Sequence, residues 1–309
     1  MERRHLIGSC AFASEYQMEP HRETFKLDIS PAKILEKAVG GPKLERPVDH
    51  LFCVAALDIN ASYAITCGVV SFARDTSSKI LFHKIFKASI DGRLPDAAYN
   101  DAVIKKLDEI SKYVLALGVK IDAIVADCGG RNWDAVLRWA KAGRKLYGVS
   151  CCGFAGRGST NYNPYVRTRL VDARTHSVLC GDDRERTVSG SGFRYVLFDA
   201  DATKLAAHKA LLAAPYTPGS MQLYDGDAEE HRDLALQVCN ERLRSVQTVG
   251  VKTTYSWATK EPHDYNDVLS MAIAASDQYG ISVQSSVKGG ANRSRRFLVP
   301  KSRPKVRIV

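Results

Sequence analysis

Three apolar runs, "LFCVAALDI" (51 to 59), "YAITCGVVSFA" (63 to 73) and "KILFHKIFKA" (79 to 88), succeed one another almost without pause. Only Asn60-Ala61-Ser62 and Asp75-Thr76-Ser77-Ser78 separate them. Each run is rich in β-branched and aromatic residues, and connections this short join antiparallel neighbours. The spacing therefore predicts three consecutive antiparallel strands. The next segment has a different period. In "LPDAAYNDAVIKKLDEISKYVLALG", Val103, Ile104, Leu107, Ile110, Val114 and Leu117 recur at helical spacing, and Gly118 ends the pattern. "IDAIVADCGG" then reads as a short buried strand ending in a glycine turn, "WDAVLRWAKAG" as a second helix and "KLYGVSCCGFAG" as another strand.

Three hairpin-connected strands, a helix, a strand, a helix and a strand is the element order of a ribonuclease H-like core, an α/β fold with a mixed sheet flanked by helices. Between Thr168 and Asp201, "THSVLC", the polar turn "GDDRER" and "FRYVLFDAD" suggest an added β-hairpin. Helical patterns occupy "ATKLAAHKALLAA" and "AEEHRDLALQVCNERL", and a last one runs from about Asp264 to Tyr279. Residues 1–50 read as an arm or linker with one short helix between Pro31 and the Gly40-Gly41-Pro42 breaker. The expected division is an arm over 1–50, the core domain over 51–282 and a basic tail over 283–309.

A chain of 309 residues, 45% hydrophobic, can bury a real core. Its longest apolar runs are far shorter than the roughly 20 residues of a membrane helix, so no span is expected. The start, "MERRHLIGSCAFASEY", is charged early but broken at Glu15, which argues against a secretory signal. The eight cysteines include adjacent Cys151 and Cys152 but form no zinc-type CxxC pairing. Cys53, Cys67, Cys128 and Cys180 sit in apolar, strand-like surroundings, as small hydrophobes do. The net charge is +10, and the acid-free stretch from Lys288 onward supplies eight of those charges. Such a tail suits a polyanion such as nucleic acid, and equally suits a solvated terminus.

Four aspartates stand out against this background. Asp58 interrupts "CVAALDIN", where an unpaired carboxylate is costly, although with Asn60 it could open a turn. Asp127 closes the strand "AIVADCGG", at the kind of strand end where α/β proteins hold ligands. Asp264 and Asp267, in "HDYNDVLSM", lie one turn apart at the head of an apolar helix. There they could be an N-cap and an N3 acid favoured by the helix dipole. In the expected topology the first strand, the fourth strand and the last helix meet at one sheet edge. Three carboxylates gathered there would repel unless divalent cations neutralised them, which is the arrangement two-metal phosphoryl transfer uses.

Several phrases, in order, resemble the nuclease portion of the terminase large subunit of tailed bacteriophages and prophages. They are "FASEYQMEP" (12 to 20), "AALDIN", "VADCGGRNWDAVLRWA", "YVLFDADATKLAAHKAL" and "HDYNDVLSMAIAA". The D-x-G turn and the D-x-x-K helix start are similar to the lambda-like branch. The resemblance spans about residues 12 to 280. It implies a ribonuclease H-like endonuclease that cuts concatemeric viral DNA during genome packaging with two Mg²⁺ or Mn²⁺ ions, in the cytoplasm of an infected or lysogenic bacterial host. It maps metal ligands and catalytic roles onto Asp58, Asp127 and Asp267, with Asp264 as the alternative third ligand. Asp201 and Lys204 match a motif of supporting role. Arg131, Arg157, Arg293, Arg295 and Arg296 are candidate contacts to the backbone of double-stranded DNA. The family further implies the terminase small subunit, the portal and an ATPase module as partners.

Two departures accompany the resemblance. Ser270 stands where relatives commonly carry an acid, and no GxxxxGK[ST] is present, so the ATPase was excised or is a separate chain. Two other readings use the same residues. One is a resolvase- or transposase-type ribonuclease H-like nuclease; the other is a non-catalytic DNA-binding packaging protein whose aspartates are caps and turns.

Overall fold

A computed structural model describes residues 21–23, 27–60, 64–88, 90–158, 166–171, 178–180, 193–249 and 252–281. In chain order its elements are β1 (His21–Glu23), α1 (Pro31–Leu35), β2 (His50–Asn60), β3 (Ala64–Ala73), β4 (Ser78–Lys87), α2 (Asp96–Leu115) and β5 (Ala123–Asp127). Then come α3 (Trp133–Tyr147), β6 (Ser150–Arg157), β7 (Val166–Val171), β8 (Val178–Cys180), β9 (Phe193–Asp199), α4 (Ala200–Leu212) and β10 (Met221–Leu223). The chain continues through α5 (Ala228–Asn240), β11 (Glu241–Val249), β12 (Lys252–Thr259) and α6 (Asp264–Gln278).

The large sheet runs β10-β4-β3-β2-β5-β6-β9-β7-β8. Strands β2, β3 and β4 form the expected antiparallel meander, and β5, β6 and β9 extend it in parallel on the other side of β2. That is the ribonuclease H-like arrangement, with β2 at its centre. A central strand is covered on both faces, which is why its sequence is nearly continuous in apolar residues. Alternation sorts those residues: Cys53, Ala55, Leu57 and Ile59 join the core under α2 and α3. Phe52, Val54 and Ala56 join the opposite core, under α1, α4, α5 and α6.

Helix α6 is buried nearly all round because it is wedged between that face and its neighbouring helices. Its small residues Ala272, Ala274 and Ala275 let it lie close to the sheet. Opposite it, Gly68 of β3 leaves no room for more: a Cβ there would meet Val268 Cγ1 at 2.7 Å.

Several expectations change. β9 is a core strand paired with β6, so "THSVLC" and "FRYVLFDAD" do not form a hairpin with each other. β7 pairs antiparallel with β9 and β8 pairs with β7, making the added antiparallel extension at the far edge. Residues 27–50, within the stretch read as an arm, pack onto the body: Ile29 and Ile34 are buried, and the Gly40 amide donates to the Leu223 carbonyl at 2.8 Å. The helix read through "CNERL" stops at Asn240, and the chain turns into β11, which with β12 and β1 forms a second, three-stranded sheet. Cys53, Cys67 and Cys128 are buried free thiols, as expected; the side-chain environment of Cys180 and the tail from Ser282 lie outside the described residues. Among the described residues no helix is long and apolar enough to cross a membrane.

Beside α6 a chain of hydrogen bonds determines two imidazoles. His231 Nε2 donates to the Tyr224 carbonyl (3.0 Å), so its Nδ1 must accept from His83 Nε2 (2.9 Å). His83 Nδ1 then accepts the Tyr265 hydroxyl (3.4 Å). Every step needs both rings neutral, and burial pulls His83 down to about 3 and lowers His231 as well.

Two outcomes are expected. Ile34→Ala lowers unfolding free energy by about 2–4 kcal/mol in urea denaturation, as a core truncation does and a change in a loose arm does not. For the imidazoles, the folded-state values lie below the unfolded one, so their contribution is complete above about pH 6.5 and is lost as pH falls toward 3. The melting temperature of the wild type should therefore drop more between pH 7.5 and 5 than that of His83→Asn; equal slopes would exclude this chain as the cause.

Candidate active site

The same alternation that fills the α6 face of β2 with Phe52, Val54 and Ala56 continues to Asp58. On β5, Ala123 and Val125 belong to that face and the next position on it is Asp127. Parallel pairing ends at Leu57 with Ala126, which leaves Asp58 and Asp127 one step further on as neighbours at the strand ends. α6 begins over this point. Its N-cap is His263, which makes no side-chain cap, so Asp264 and Asp267 are the first and fourth helical residues and not the N-cap and N3 acid. Neither carboxylate caps the helix. Asp264 accepts instead from Asn60 Nδ2 at 2.9 Å, which also takes Asn60 away from a turn role.

The electrostatics reflect four carboxyls sharing one space. Asp58 keeps a little surface of its own, yet burial raises its pKa well above the usual range, and the charges of Asp267, Asp127 and Asp264 raise it further. Burial also lifts Asp127 to about 6, with Asp267 adding to the rise and the Gly129 amide, donating at 3.1 Å, opposing it. That amide explains the D-x-G spacing: a Cβ at Gly129 would lie 3.2 Å from Asp127 Oδ2. Asp264 is raised mainly by burial, with Asn60 and His263 pulling the other way.

One cation faces the cluster from α4. Lys204 Nζ donates to Asp267 Oδ1 at 2.9 Å and to Glu241 Oε1 at 2.9 Å. Its own burial works against its charge, but Asp267 and Glu241 more than offset that and raise its pKa. Asp201, one turn earlier, accepts from Trp257 Nε1 of β12 at 2.9 Å. Ser270 is buried in the interface of α4 and α6, where its hydroxyl is shared with Thr203.

Of the arginines, Arg157 is exposed at the end of β6, in register with Asp199. Arg131 pairs with Asp96 at 2.9 Å, donates to the carbonyls of Gly92 and Leu94, and stacks 4.2 Å from the Tyr99 ring, so it braces the loop before α2. Arg293, Arg295 and Arg296 lie outside the described residues.

Sequence reasoning missed Glu241, Asn266 and Asn60. Glu241 was hidden by the reading of "CNERL" as helix; the β-branched residues that follow it, Val246, Thr248 and Val249, are the signal of a strand.

Among the described residues no three His, Cys, Asp or Glu side chains stand close enough to share one ion as placed. The donor set is nonetheless all oxygen, and the repulsion around Asp58 is the kind that a hard divalent cation relieves.

Residues 11–286 match the family model of the terminase large subunit gpA endonuclease domain. The chain belongs to this family. It is thus a nuclease domain, a hydrolase of nucleic-acid phosphodiesters. Among curated proteins no sequence match is found. Solved structures similar to this endonuclease domain include the nuclease domain of the large terminase subunit gp2 of bacterial virus Sf6, at 14% identity, TM-score 0.44 and coverage of 80% of this chain and 97% of that one. A mutant of that domain, solved with manganese and β-thujaplicinol, has 11% identity and a TM-score of 0.46, again covering 80% and 97%. RuvC of T. thermophilus in complex with a Holliday junction substrate has 13% identity, TM-score 0.32 and coverage of 74% and 98%. The Aquifex aeolicus Ppx/GppA family member is matched over 34% of this chain and only 35% of its own length, at 19% identity and TM-score 0.24.

The crowding of Asp58 has a measurable consequence for this endonuclease domain. Asp58→Asn removes a carboxyl whose ionised form the fold opposes, so in EDTA it should raise the melting temperature by roughly 2–4 °C. Millimolar Mg²⁺ should stabilise the wild type more than the variant. A variant that melts below wild type in EDTA would show that the carboxylate is not under repulsive load.

Proposed function

We propose that this chain is a divalent-metal-dependent endodeoxyribonuclease that cuts concatemeric viral DNA during genome packaging. The observation that carries the reading is the meeting of Asp58, Asp127, Asp264 and Asp267, from two adjacent strand ends and one helix start, in a member of the terminase endonuclease family. Asp58 feels the charges of the other three carboxylates, and Asp58, Asp127 and Asp267 are the residues that would hold two Mg²⁺ or Mn²⁺ ions. Asp264, held by Asn60, would support Asp267 or substitute for it. When bound, such ions would supply Lewis-acid activation of water and of the scissile phosphate.

The chain's own residues prepare that chemistry. The Gly129 amide orients Asp127 and Asn60 orients Asp264, while Asp267 has one oxygen taken up by Lys204, which a cation would have to compete with, and the other facing His263 Nε2 at 3.7 Å. Arg157 at the mouth, and Arg293, Arg295 and Arg296 on the tail, would contact the phosphate backbone of double-stranded DNA without reading sequence. Asp201 supports the site indirectly, by tying α4 to β12 through Trp257. Arg131 would reach DNA only by giving up its contacts to the loop before α2. In this reading the nuclease body and basic tail act with a small terminase subunit, a portal and an ATPase module, in the cytoplasm of an infected or lysogenic bacterial host.

Plasmid nicking tests it. Wild type should cut supercoiled DNA with Mg²⁺ or Mn²⁺ and not with EDTA. Asp127→Asn should cut at least about 100-fold more slowly, since losing one ligand forfeits several kcal/mol of barrier lowering. A folded wild type that binds DNA yet cuts with neither metal would leave a DNA-binding packaging protein in place of a nuclease.

A further inference from the structure

Glu241 is a buried carboxylate to which the metal-dependent reading gives no task. It lies where α5 turns into β11 and is 5% exposed. Both its oxygens are engaged: Oε1 accepts from Lys204 Nζ at 2.9 Å and Oε2 from Asn266 Nδ2 at 2.7 Å. The same Lys204 ammonium reaches Asp267 at 2.9 Å. One positive charge thus stands between two carboxylates, of which Asp267 acts on both Asp58 and Asp127.

An ammonium shared in this way neutralises neither partner completely. If Glu241 carried no charge, Lys204 would be left with Asp267 alone, and its whole charge would oppose any cation approaching that oxygen pair. The Coulomb term at such short range and partial burial is far from negligible. Asn266 adds a mechanical link, because it is the residue before Asp267 on α6 and its side chain is anchored by Glu241.

We infer that Glu241 is a positioning residue of the metal site, drawing off the charge of Lys204 so that Asp267 stays open to a divalent cation. This rests on the metal-dependent reading above. A residue serving only to satisfy Lys204 inside the fold would matter for stability and not for metal affinity, and the two roles separate in a binding experiment.

The measurement is calorimetric titration of Mn²⁺ into the DNA-free protein for the wild type, Glu241→Gln, Lys204→Met and the double variant, each checked for its fold by circular dichroism. Glu241→Gln keeps the shape and removes the charge, and should weaken Mn²⁺ binding by about 10–100-fold, the range seen when residues behind metal ligands are changed. The double variant removes the ammonium as well and should recover most of that loss. Lys204→Met alone should bind Mn²⁺ at least as tightly as wild type, which keeps the inference testable if Glu241→Gln does not fold. Unchanged binding in Glu241→Gln, no recovery in the double variant, or weaker binding in Lys204→Met would each overturn it. A wild type that neither binds Mn²⁺ nor cuts DNA would instead retire the metal-dependent reading itself, and this inference with it.

Discussion

Carboxylates on the α6 face of the sheet cannot be packed as the rest of that face is packed. Phe52, Val54, Ala56, Ala123 and Val125 are covered by apolar helix surface. Asp58 and Asp127 continue the same two rows and meet the head of α6, where the first turn carries Asp264 and Asp267. Burial and mutual repulsion act together there, so the site exists only because the remainder of the fold is stable enough to hold it. Much of the surrounding design can be understood as containing that repulsion: an amide at Gly129, an amide side chain at Asn60 and an ammonium at Lys204 each oppose part of it.

The helices behind the site are correspondingly tight. α6 approaches β3 closely because Gly68 lacks a Cβ, and it meets α4 through the hydroxyls of Thr203 and Ser270. An acid at position 270 would be placed in that buried interface and not on an open site wall, which gives a physical reason for serine there. α4 is fixed in turn by the second sheet, through Trp257 on Asp201 and the Trp257 ring edge-on to His208. Lys204 is therefore carried on a helix braced from two sides, and its distance to Asp267 is a property of the assembled domain.

The amino-acid sequence by itself determined the meander, the two crossover helices and the identity of Asp58, Asp127, Asp264 and Asp267 as candidates. Period-2 and period-3.6 patterns are local, and a central strand buried on both faces announces itself as an apolar run. The same local logic misread "THSVLC" and "FRYVLFDAD" as a hairpin, because which strands pair is a choice made between distant segments: β7 intervenes next to β9, and β9 itself joins β6. It also extended α5 through Glu241, since helix and strand patterns overlap at such a junction and the winner is set by packing. Whether Asp264 and Asp267 were caps or something else was likewise open, because a carboxylate in a first turn satisfies both descriptions. Only the tertiary structure decided it, by putting His263 at the N-cap, Asn60 on Asp264, and Lys204 with Glu241 beside Asp267. Asn60 lies 204 positions from the carboxylate it holds, and charge interactions depend on distance in space, to which sequence separation is no guide.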